Sequence, residues 1–281
     1  MKTPRRDLYI FAAAALSAGW IGVGVNRLLG QPDTEQSPGT LVWLVTPVAT
    51  SLVLRRVRHG RFFPRRRSGV TARERTIAWG TALTAYPVVT LGTLALGRTL
   101  GLVDTSQINF SGVGATMAAA LLPAFVKNLA EEAAWRGYLT EELLSNGTKR
   151  LPLNLGVGLI WGTWHLPYYL FFLPEEQMRQ VLDVDRPLFA AVACGVMIGW
   201  TVLFTEVYAL TRSIWPSTVM HALEDSVVNP PVIDGGARFT GAGQWLVSPV
   251  VGAITTAAYV GVGALVRRLG RESVTSSSRR R

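Results

Sequence analysis

The residues with chemistry to offer stand in otherwise apolar sequence. They read Glu131-Glu132-Ala133-Ala134-Trp135-Arg136, then Trp161-Gly162-Thr163-Trp164-His165, then His221-Ala222-Leu223-Glu224-Asp225, with Glu206 alone between the last two groups. The chain has 3 His in all. His59 lies in a basic stretch, so the imidazoles in apolar sequence are those at 165 and 221. An ionisable group in such a setting is costly and is a functional candidate by default. Spacing sorts these groups. Glu132 and Arg136 are four apart, acid before base, on one helical face, where each can neutralise a charge that would be expensive to bury alone. Glu131 is turned by about 100° from Glu132 and has Trp135, not an arginine, one turn ahead. His221 and Asp225 are also four apart, so the carboxylate can reach the ring and set its tautomer. Glu206 reads as a helix-packing or interface acid. Asn128 and Lys127 read as cavity-lining residues, with Lys127 alternatively snorkelling to the interface.

These groups suit amide hydrolysis in a low-dielectric site, which needs a base for water and donors for the developing oxyanion. Glu131 is the candidate base. His165 can hold the same water, and His221, oriented by Asp225, can donate to the oxyanion or bind the water. Glu132 and Arg136 support the site. Two His and a Glu (Glu131, His165 and His221) would also make a three-ligand zinc site with an open position. The chain has no H-E-x-x-H, however, so no cofactor is expected, and zinc is the metal to test for.

The elements that must carry these residues are set by composition. The 281 residues are 49% hydrophobic and only 16% charged, against about 25% charged in soluble domains. A single Cys, Cys194, excludes a disulfide framework and a Cys-based zinc site. Apolar stretches near the length of a bilayer span cover 8–29, 38–54, 76–102, 112–142, 154–173, 188–211, 213–228 and 244–266. With eight helices and a cytosolic N-terminus, 21 of the 28 Lys and Arg fall on the cytosolic side, the bias the positive-inside rule describes. The net charge of +10 therefore faces anionic lipid, not nucleic acid. Both termini are expected in the cytosol, with the first helix an uncleaved anchor in the cell membrane. On this topology Glu131, His165 and His221 lie about 12–17 Å from the cytosolic ends of their helices, in one layer. The reading is an all-α, polytopic protein of about eight transmembrane helices enclosing an intramembrane catalytic cavity. It forms a single transmembrane domain over 1–270, with a motif-bearing core at 113–228 and a disordered basic tail at 271–281.

At the motif positions the chain resembles the CPBP family of intramembrane proteases, also called the CAAX protease or Abi (bacteriocin-processing) family. The family motifs E-E-x-x-x-R, F-x-x-x-H and H-x-x-x-N/D read here Glu131-Glu132-x-x-x-Arg136, Trp161-x-x-x-His165 and His221-x-x-x-Asp225. Trp161 replaces Phe, a change of aromatic bulk. Asp225 stands where the prenyl-protein proteases have Asn, which points away from prenylated CAAX substrates. The resemblance implies an intramembrane endopeptidase acting on a protein or peptide substrate, membrane-associated and reached from the cytosolic side. It also implies a glutamate-dependent reaction, although the family is often described as metalloprotease. Two other classes stay open. A proton-coupled transporter would also place acids and His at membrane depth, but it would show repeats or paired broken helices, and the sequence has neither. A non-enzymatic, immunity-like membrane protein would keep the fold without needing Glu131.

Overall fold

The structure is a computed structural model that describes residues 5–62, 67–233 and 236–278. Helices α1 (Arg5–Leu28), α2 (Pro38–His59), α3 (Ala72–Thr99) and α4 (Phe110–Ala134) come first, and α4 passes through a π turn (Trp135–Thr140) into α5 (Glu141–Ser145). Helix α6 (Arg150–Trp164) gives way near His165 to a second π turn (Tyr168–Phe172), followed by α7 (Glu175–Val181) and α8 (Arg186–Thr211). Helix α9 (Ile214–Leu223) enters a third π turn (Glu224–Val228) and then α10 (Asn229–Ile233); α11 (Gly241–Val247) and α12 (Ala253–Ser278) follow. Two-residue strands β1 (Val103–Asp104) and β2 (Arg238–Phe239) pair antiparallel, with Val103 opposite Phe239.

This is an all-α polytopic membrane protein. Five stretches are long and apolar enough to cross a bilayer: Arg5–Leu28, Pro38–His59, Ala72–Thr99, Phe110–Ser145 and Arg186–Thr211. They correspond to the first four and the sixth of the eight expected spans. The other three are helical but interrupted. The fifth stops as α6 at Trp164, just before Pro167, whose missing N–H ends regular pairing. The seventh turns from α9 into the π turn at Glu224. The eighth breaks between Val247 and Ala253, across Pro249. Helix α12 runs as far as Ser278, within the stretch read as a tail. Residues 279–281 and the loop residues around Arg65 lie outside those described.

The chain groups into two compact units. One comprises Met1–Arg65, Ala130–Arg179 and Val184–Thr201; the other comprises Arg66–Leu129, Gln180–Asp183 and Val202–Arg281. In the first unit α1 and α2 touch backbone to backbone at Gly22 and Gly39, where a Cβ on either would run into the other's carbonyl oxygen. The fully buried Asn26 closes the turn between them. Its Nδ2 donates to Asp33 Oδ1 and Ser37 Oγ, both at 2.8 Å, and its Oδ1 accepts from Gly39 N at 2.7 Å. Ser37 also caps α2, with Pro38 in the first turn. Helix α6 presents Gly158 and Gly162 to α8. A Cβ there would lie 2.7 Å from Ile198 Cα and 2.9 Å from the Cys194 carbonyl oxygen. Small residues at this spacing let helices approach closely in lipid, and the contact fixes the end of α6 that carries His165.

In the second unit α3 starts with a capping box, Thr71 with Glu74. It packs against α9, the third π turn and α12. The Tyr86 ring lies 4.6 Å from that of Tyr259 on α12. Gly97 lets α3 meet Val103 of β1 and Val247 of α11, beside the small strand pair.

Candidate active site

Each motif adjoins or enters a π turn. A π turn is rare and is frequent at functional sites, because the extra residue per turn re-aims neighbouring side chains. The first motif begins in the last turn of α4 and ends in the π turn after it. Arg136 Nη1 donates to Glu132 Oε1 at 2.9 Å, with both side chains fully buried, as the four-residue spacing predicts. The guanidinium also sits 4.2 Å from the centroid of the Trp161 ring, a cation–π contact strengthened by desolvation. Glu131 is sorted differently. Its Oε2 accepts from the indole N–H groups of Trp135 and Trp161, both at 3.3 Å. Arg136 thus pairs with Glu132, and two indole donors reach Glu131.

Trp161 does more than fill the place of a phenyl ring. Its N–H holds Glu131, its ring lies under Arg136, and its carbonyl accepts from His165 Nδ1 at 2.9 Å. A carbonyl oxygen only accepts, so Nδ1 carries the hydrogen and Nε2 is the acceptor atom of the neutral ring. The imidazole stacks on Tyr169, with centroids 5.5 Å apart, and meets the Trp164 ring edge-on at 4.6 Å. Trp164 is fixed in turn by Trp43 of α2. The two rings stack at 4.1 Å, and each indole N–H donates to the other residue's carbonyl, at 2.9 and 3.3 Å.

Helix α2 also secures the first π turn. Arg55, itself buried, donates to the Gly137 carbonyl and lies 3.5 Å from Glu142. His59 Nε2 approaches the same Glu142 oxygen at 3.3 Å. Motif spacing gives neither residue a role. The signal in the sequence is the position of Arg55 at the inner end of an apolar run, where a guanidinium needs partners.

In the second unit His221 occupies the last turn of α9, buried and edge-on to Phe204 at 5.3 Å. Asp225 lies in the third π turn, and its hydrogen bonds run to α4. Its Oδ2 accepts from Lys127 Nζ and from Asn128 Nδ2, both at 2.7 Å. The π turn begins at Glu224, between His221 and Asp225. Lys127, read as lining or snorkelling, is an ion-pair partner. The potential ligand atoms of His221, Glu224 and Asp225 lie within 4.8 Å of one another, the one such group of His, Cys, Asp and Glu among the described residues. A divalent ion there would compete with the Lys127 ammonium for Asp225. Glu206 is buried on α8.

Residues 113–227 match the family model described as Rce1-like, type II CAAX prenyl endopeptidase Rce1-like. No curated protein matches the chain.

Proposed function

We propose that this multi-pass membrane protein, whose residues 113–227 match the type II CAAX prenyl endopeptidase Rce1-like family model, is an intramembrane endopeptidase. Glu131 takes a proton from water, and the resulting hydroxide adds to the peptide carbonyl carbon. His165 holds that water through Nε2. His221, with Asp225 within reach, donates to the oxyanion. The proton on Glu131 passes to the amine as the C–N bond breaks. Glu132 and Arg136 hold the base's helix by cancelling each other's charge.

One observation carries this reading: the adjacent glutamates have different partners. A carboxylate ion-paired to arginine is a poor base, because protonation would strand the cation. The two indole N–H groups hold the Glu131 carboxylate in place, and neither is a charge that its protonation would strand. The substrate in this reading is a protein or peptide associated with the membrane, entering a cavity open to the cytosolic side. Asp225 at the asparagine position favours a substrate that is not prenylated. No metal enters the scheme. Purified protein in lipid nanodiscs, offered quenched-fluorescent peptides, tests it. Cleavage is expected from wild type, lost in Glu131→Gln, and retained after exhaustive chelation. Activity that chelation removes and zinc restores would replace this scheme with a metal-dependent one.

A further inference from the structure

A lysine at membrane depth needs a counter-charge, and an aspartate beside a histidine needs its own charge held. Lys127 and Asp225 meet both needs at once, with Nζ 2.7 Å from Oδ2. The next residue, Asn128, is fully buried and donates to the same oxygen at 2.7 Å. Two donors on one oxygen fix the carboxylate plane against α4. The neighbourhood makes the cation matter further. The ligand atoms of Glu224, Asp225 and His221 lie within 4.8 Å of one another, so Lys127 adds a positive charge to a cluster of two acids and one imidazole. Of the residues around the carboxylate, Lys127 supplies positive charge, Asn128 is neutral, Glu224 is acidic, and His221 is the group to be oriented.

We propose that Lys127 is the built-in counter-ion of Asp225, a positioning residue that lets an aspartate stand at 225 and holds it, and through it His221, in working geometry. The role rests on the endopeptidase reading for its consequence in turnover, but the ion pair can be tested without it. The variants are Lys127→Met, Asp225→Asn and the two combined. Asparagine keeps an oxygen for the Asn128 amide and has no charge that requires Lys127, so the combination removes both charges together. Each single variant is expected to lower turnover per folded molecule about tenfold, and the combined variant to exceed both, since residues in contact are not additive. Nitrogen-15 histidine spectra supply the readout that packing alone would not move. With 3 His in the chain, signals are assigned from His59→Gln and His165→Gln. The His221 signal should shift in Lys127→Met and return toward wild type in the combined variant. Should Lys127→Met fail to accumulate, recovered accumulation and melting temperature in the combined variant support the proposal equally, and their failure to recover counts against it. Strictly multiplicative effects, or an unmoved His221 signal with wild-type turnover in Lys127→Met, would overturn the proposal. If wild type cleaves no faster than Glu131→Gln, the endopeptidase reading fails instead, and the spectra and melting cycle alone decide the role of Lys127.

Discussion

Replacing Glu132 by Gln takes the carboxylate from Arg136 while leaving the guanidinium fully buried. Breaking such a pair costs about 3–5 kcal/mol, so Glu132→Gln should accumulate poorly, and its melting temperature should fall well below wild type. Glu131→Gln keeps an oxygen for the Trp135 and Trp161 N–H groups and loses the capacity to take a proton from water. Its melting temperature should stay near wild type while turnover disappears. A stable but dead Glu132→Gln beside an active Glu131→Gln would exchange their roles. Trp161→Phe keeps the ring under Arg136 and removes one donor to Glu131. A hydrogen bond to a charged group is worth about 1.5–3 kcal/mol, and at 3.3 Å this one is long, so the smaller figure applies. Turnover should fall about tenfold with little loss of melting temperature; unchanged turnover would reduce Trp161 to packing. The Glu132–Arg136 pair was legible in the sequence because both partners lie on one helix at fixed spacing. The indole pair was only half legible, since Trp135 is local to Glu131 but Trp161 arrives from another helix.

Helix positions were readable from apolar stretches, and Pro167 and Pro249 mark two of the interruptions, but the π turns were not readable. A π turn spans about five residues, too few for its period to stand out from an α-helical pattern, so the three turns beside the motifs left no mark in the sequence. The third of them carries Asp225, whose partners Lys127 and Asn128 come from α4, a pairing that four-residue counting cannot anticipate. The packing of α6 on α8 gives a test at this scale. Gly162→Leu would drive a side chain into the Cys194 carbonyl, 2.9 Å from its Cβ, whereas a Cβ at Gly156, on the same helix, meets nothing within 4 Å. Gly162→Leu should lower melting temperature and activity together by displacing the helix that ends at His165. Gly156→Leu should leave both near wild type. Equal effects from the two would mean that the glycine contact does not set the position of α6.

Across the whole molecule, the unequal distribution of positive charge is the strongest signal in the sequence. On the eight-helix topology expected from the sequence, 21 of the 28 Lys and Arg would lie on one side, and the N-terminus, the loop before α3 and the C-terminus would face the cytosol. Reporters fused at the N-terminus, after Arg67 and at the C-terminus should all report the cytosol; a non-cytosolic signal after Arg67 would end the eight-helix arrangement. Fold class and the family resemblance were readable because composition and three motifs are properties of the chain alone. Substrate identity was not, since no residue pattern here specifies a partner's sequence. The most direct test therefore lets the cell supply the substrate, by comparing membrane-proteome N-termini between cells carrying wild type and cells carrying Glu131→Gln at equal abundance. The account predicts a set of new N-termini, mapping to segments within or beside membrane spans, that is present with wild type and absent with Glu131→Gln. Identical N-termini in the two, with both proteins folded and in the membrane, would contradict glutamate-dependent proteolysis by this protein.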